Sequence, residues 1–123
     1  MTREELERRQ YLVMDVENIA ERIARLRAEA ENTVTFLSPN HGGGHPADSD
    51  KIGRYISTIC DLETTLRQKK QDVDDIDTWI YSLPQPARDV FIDRFIRRET
   101  IRIISKTRNI SRRTVCRIIA SAV

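Results

Sequence analysis

At 123 residues the chain has room for one domain, or for a small module with a helical extension. Charged residues reach 33% against 6% aromatics, with only four glycines and four prolines, a mix that favours long amphipathic helices over β-sheet. The longest apolar runs are short stretches such as Tyr11 to Met14, which excludes a membrane-spanning segment from the expected organisation.

The opening residues, MTREELERRQ, are too charged for a signal peptide. They start a helix expected over residues 2–31, with Thr2 as cap and Glu5 at the capping-box spacing. Leu12, Val16, Ile19, Ile23, Leu26 and Ala30 then recur at alternating spacings of four and three, a heptad seam. Residues 32–50, NTVTFLSPNHGGGHPADSD, read as a loop, because three glycines and two prolines oppose helix, with Val34, Phe36 and Leu37 as its apolar anchors. His41 and His45 bracket the glycines, but no cysteine or acidic cluster joins them at ligand spacing, so a polar loop is expected and no metal site. A second long helix follows from a cap at Ser49 or Asp50 to about Tyr81. Its seam is Ile52, Tyr55, Ile59, Leu62, Leu66, Lys69, Val73, Ile76 and Ile80, broken only by Lys69. Two such helices joined by a loop fold most simply as an antiparallel hairpin, while the same seams could pair between two chains into a homodimer. Both arrangements stay open at this level.

Pro84 and Pro86 end the second helix, and three short helices are expected beyond them. The first covers 86–97 with Val90, Phe91, Phe95, Ile92 and Ile96 inward, and the second covers 99–108 with Ile101, Ile103 and Ile104 inward. The third begins at the N-cap Ser111 and turns Val115, Ile118, Ile119 and Ala122 inward. Asn109 suits the left-handed conformation that a tight turn between helices requires. Two short helices around such a turn, the second fronted by basic residues, match the layout of a helix-turn-helix. The expected organisation is all-α, with a hairpin over 1–82 and a DNA-binding unit over 83–123. Trp79 and Tyr81 are expected to pack between these two parts.

The formal charge of +2 is unevenly spread. Residues 84–123 hold ten basic and three acidic side chains, net +7, leaving eleven basic and sixteen acidic, net −5, in residues 1–83. Such asymmetry points to a polyanion-binding end. On the third short helix the face opposite Val115, Ile119 and Ala122 would present Arg112, Arg113, Cys116 and Arg117, with Ala120 further along. Arginine bonds bidentately to guanine in the major groove, so these residues are the expected readers of double-stranded DNA. Ser111 and Thr114 at the helix start are expected to contact phosphate, and Arg97, Arg98, Arg102, Lys106 and Arg108 to surround the site with sequence-independent contacts. Cys116 is expected to be a small groove-facing or partly buried side chain rather than a redox sensor.

The run LPQPARDVFIDRFIRRETIRIISKTRNISRRTVCRII resembles the region 4 type of bacterial sigma factor helix-turn-helix, through Leu83, Pro84, Ile104, Ser111, Thr114 and Val115. The chain is similar to small phage and prophage transcriptional regulators of the ArpU/RinA type, over roughly residues 52–123. That resemblance implies a regulator that switches on late phage genes from a promoter region, in the cytoplasm of a bacterial host. RNA polymerase then stands as a second partner beside DNA. Three positions depart from the pattern: Ser105 replaces the usual Ala, Arg108 a Leu, and Asn109 a Gly.

An enzyme is not expected, since Asp72, Asp74, Asp75 and Asp77 read as a charge run on a helix surface, and no cofactor is implied. Cys60 and Cys116 make no metal or redox spacing, which fits free thiols and a cytoplasmic location. The alternatives from other classes are a helical protein-interaction adaptor and a small-terminase-like DNA-packaging subunit. In packaging subunits the DNA-binding unit usually precedes the coiled coil, and here the order is reversed.

Overall fold

The computed structural model describes the backbone of residues 1–36 and 46–123, and the side chains of 1–32 and 51–123. Outside them lie the polar loop expected around His41 and His45 and the side chains of the expected anchors Val34, Phe36 and Leu37, whereas Ser49 and Asp50, expected as caps, fall inside a helix that begins at Pro46. The described chain is all-α, with no strand among the described residues. Its elements are α1 (Arg3–Phe36), α2 (Pro46–Tyr81), α3 (Ala87–Phe91) running into a π-helical turn (Ile92–Ile96), α4 (Ile101–Arg108) and α5 (Arg112–Ala122). No described helix is long and apolar enough to cross a membrane.

The capping box forms as the sequence predicts. Thr2 Oγ1 accepts from the Glu5 amide at 3.2 Å, and Glu5 Oε2 accepts from the Thr2 amide at 2.8 Å. α1 continues past the expected residue 31 because Asn32 to Phe36 contain neither glycine nor proline. α2 starts ahead of Ser49, at Pro46, a position where the missing amide hydrogen of proline costs nothing.

The chain divides into two compact units: Met1–Met14 with Lys70–Val123, and Asp15–Lys69. In the second unit the seam residues face inward as expected. Ile23 and Ile59 are buried, and Val16, Ile19, Leu26, Ile52, Tyr55, Leu62 and Leu66 are half-buried. Lys69, the one charge in the seam, is answered by Asp15 of α1 at 3.0 Å. Arg27 pairs with Glu63, so α1 and α2 run antiparallel here. Part-exposed pairs of this kind contribute at most about 1 kcal/mol each, and the seam does the larger share of the holding.

In the other unit, Leu6, Leu12, Ile76 and Ile80 share one core with Val90, Phe91, Phe95, Ile104, Val115 and Ile119. The division expected at residues 82/83 is therefore displaced. The base of the hairpin and the three short helices bury their apolar faces against each other within this unit. Arg9 bridges to Asp77 through two bonds of 2.5 and 3.1 Å. Trp79 packs against this core as expected, its ring edge-on to Phe91 at 5.8 Å between centroids, and Phe91 lies 5.4 Å from Phe95. Tyr81 is exposed rather than packed, since α2 ends there with that side turned to solvent.

Ile103 also departs from expectation. It is 47% exposed, whereas Ile104 is fully buried and Ile101 half-buried. Helical spacing explains this: adjacent positions on a helix point well apart, so a single core cannot collect Ile101, Ile103 and Ile104 together.

Candidate nucleic-acid interface

The turn between α4 and α5 is built from short-range hydrogen bonds. Thr100 caps α4, its hydroxyl accepting from the Ile103 amide at 3.3 Å. Asn109 ends the helix in the left-handed region, φ 55° and ψ 45°, as its side chain type suggested. The Ile110 amide donates to the Ser105 carbonyl at 3.1 Å, while Ser105 Oγ donates to the Ile110 carbonyl at 2.5 Å. The Ser105 side chain thus ties α4 to the far side of the turn. We expect Asn109→Gly to leave stability near or above the parent value, while Asn109→Val costs about 1–2 kcal/mol, because its branched β-carbon clashes in this conformation and asparagine's unbranched one does not. Urea denaturation of the two variants checks both.

Ser111 caps α5. Its Oγ accepts from the Thr114 amide at 3.1 Å and lies 2.7 Å from the Thr114 hydroxyl. These two hydroxyls are therefore held by each other at the helix start, where both were expected to meet phosphate. Val115 and Ile119 are buried and Ile118 and Ala122 pack on the core, which settles the orientation of the helix. Arg112, Arg113, Cys116, Arg117 and Ala120 are all exposed. Arg113 and Arg117 stand one turn apart on the same face. Arg102 and Lys106, similarly spaced, are exposed on α4. Among the described residues, no ion pair or side-chain hydrogen bond engages Arg98, Arg102, Lys106, Arg112, Arg113 or Arg117.

Arg108 departs from this pattern. Its Nε and Nη2 donate to the two oxygens of Asp93 at 2.8 and 3.1 Å, and Asp89 lies 3.6 Å away. The hydrogen bonds to Asp93 raise the Arg108 pKa more than burial lowers it, with the charges of Asp93, Asp89 and Glu99 adding to the pull. Arg97 also lies near Asp93, at 3.9 Å and without a hydrogen bond. Of the five basic residues expected to contact phosphate, the structure leaves Arg98, Arg102 and Lys106 free and commits Arg108 to an internal pair.

Asp93 is the residue the sequence reading missed. It is 1% exposed, on the π-helical turn between Phe91 and Phe95. An acid set among Phe91, Ile92 and Phe95, in a module otherwise rich in arginine, was the available signal. Leu6 was missed as well, although it occupies the fourth helical position, where the staple pattern places an apolar residue. Both cysteines are free and exposed. Among the described residues no group of three or more His, Cys, Asp or Glu side chains is arranged to hold a metal ion. No family model, curated protein or solved structure matches the chain.

Proposed function

We propose that the chain is a sequence-reading DNA-binding protein that places α5 in the major groove, and that it acts as a transcriptional regulator. The observation that carries this reading is the outer face of α5. An N-capped amphipathic helix follows a tight left-handed turn and offers Arg112, Arg113 and Arg117 to solvent without internal partners. The unpaired amides of the first turn favour an anion there, and an arginine fork matches the acceptors of guanine. Arg98, Arg102 and Lys106 supply positive charge for the phosphates on either side. The finer reading, activation of late phage or prophage genes with RNA polymerase as a second contact, rests on the resemblance to region 4 and to ArpU/RinA-type regulators.

The test is a titration with DNA fragments against a mixed-sequence duplex at several salt concentrations. One fragment should bind at least about a thousandfold tighter than the mixed duplex. Affinity should fall with salt with a slope of about −0.9 per phosphate contacted. Equal, weak binding to every duplex, or none, would sink the proposal.

A second reading, a helical protein-interaction adaptor, draws support from Tyr11 and Met14. They are 61% and 56% exposed and share one face of α1. It predicts that a protein partner survives the loss of the α5 arginines but not of Tyr11 and Met14.

A further inference from the structure

The Asp93–Arg108 pair stands apart from the other ion pairs of the chain. Asp93 is the one charged residue among those described that is buried in the core, and both its oxygens are taken by a single guanidinium. Arg108 is the last residue of α4, followed at once by the left-handed Asn109 and the cap of α5. The π-helical turn that carries Asp93 is fixed in its turn by Phe91 and Phe95 and closed by the Arg97 amide on the Ile92 carbonyl at 2.9 Å. Arg98 ends that turn in the left-handed region, φ 60°, and the Glu99 amide returns to the Asp93 carbonyl at 2.9 Å. Backbone and side chain of Asp93 are thus both held.

An ion pair with one buried partner adds little net stability over well-packed apolar side chains, because desolvation of the buried carboxylate offsets much of the attraction. What it supplies is geometry. Two parallel bonds from a planar fork fix a distance and an angle, whereas an apolar side chain at the same place could slide. The element fixed here is the end of α4, and through it the start of the reading helix.

We propose that Asp93 is a positioning residue that sets the direction of α5 by clamping Arg108, and that Arg108 is a brace and not a phosphate contact. The proposal rests on the DNA-binding reading for its consequence, but the clamp itself is measurable without DNA. Arg108→Lys is the informative variant: it keeps the positive charge and loses the fork. Asp93→Asn keeps the shape and loses the charge.

The first measurement uses the full chain with Cys60→Ser, a fluorescent acceptor on Cys116 and the single Trp79 as donor. The clamp predicts a narrow distribution of donor–acceptor distances in this background, and a broader one with Arg108→Lys, at unchanged helix content by circular dichroism. Equal widths would overturn it, whether or not the variant is less stable. If Asp93→Asn fails to fold, Arg108→Lys decides alone.

The second measurement uses DNA and unlabelled protein. Arg108→Lys should lower the ratio of best-fragment to mixed-duplex affinity by about tenfold, comparable to misreading one base pair, with the salt slope intact. With Arg108→Ala, a ratio that holds while the slope becomes less steep by about one would make Arg108 a phosphate contact, against the proposal. A parent chain that binds no DNA would refute the preceding functional reading, and the distance measurement would still judge the clamp.

Discussion

Replacing Phe91 with alanine is expected to destabilise the unit that holds α3, α4 and α5 by about 3–5 kcal/mol, the usual loss when a large aromatic leaves a packed core. The ring is fully buried and touches two further aromatics, Trp79 edge-on and Phe95 tilted, so several contacts go at once. Small domains have about 5–15 kcal/mol to lose, and this one change removes a large share. Because Phe91 lies against the only tryptophan, the emission of Trp79 reports the loss locally during chemical denaturation. The two neighbouring isoleucines of α4 make the control. Ile104→Ala, at a fully buried position, should cost about 2–5 kcal/mol. Ile103→Ala, at a position 47% exposed, should stay within about 0.5 kcal/mol. Equal costs would contradict a helix that turns Ile104 inward and Ile103 outward.

That contrast also shows how far periodicity reaches. Over the long helices the heptad is repeated often enough that phase errors cancel, and each seam residue read from the sequence turns inward, down to the lysine that finds Asp15. On a helix of eight residues there is one repeat and no average. Ile101, Ile103 and Ile104 look equivalent in the sequence, and only the direction of the following turn decides which of them is left outside. Boundaries were legible where a residue type has a local reason to stop a helix, as with Ser111, Asn109 and Thr2. The end of α1 was less legible, because Asn32 to Phe36 hold no residue that opposes a helix and the helix runs through them. The compact units were illegible for the same reason. Nothing in the residue types of Met14 or Lys70 marks the boundary that falls beside them.

The candidate site divides along similar lines. The outward arginines of α5 were predictable because four apolar residues of that helix fix its phase. Arg108 was not. As one basic residue among ten in its region it looked like another phosphate contact. Its partner lies fifteen residues back, on a turn whose π-helical geometry has no sequence signature. Counting charges gave the region a formal +7, but Arg108 and Arg97 spend theirs on Asp93 and Asp89. The free positive charge is therefore concentrated on the exposed faces of α4 and α5, which sharpens the expected footprint.

Changing Arg113 and Arg117 together to alanine should abolish discrimination between DNA sequences while leaving the fold unchanged. Both side chains are exposed and make no internal bond, so the melting temperature should move little. Each arginine that reads a guanine through two hydrogen bonds contributes about 1–3 kcal/mol of discrimination, and the pair therefore about 2–6 kcal/mol, or roughly 30-fold to 20,000-fold in the ratio of best fragment to mixed duplex. Lys106→Ala and Arg102→Ala should behave differently. Each should weaken binding to all sequences alike and make the salt slope shallower by about one, because a phosphate is the same at every step of the helix. The distinction lies in which quantity changes. A double arginine variant that lowers affinity for every duplex equally, with a shallower slope, would make α5 a backbone-contacting helix, and base reading would have to be sought elsewhere. A variant that keeps its discrimination would remove α5 from the interface and leave the exposed face of α1, with Tyr11 and Met14, as the surface to test next.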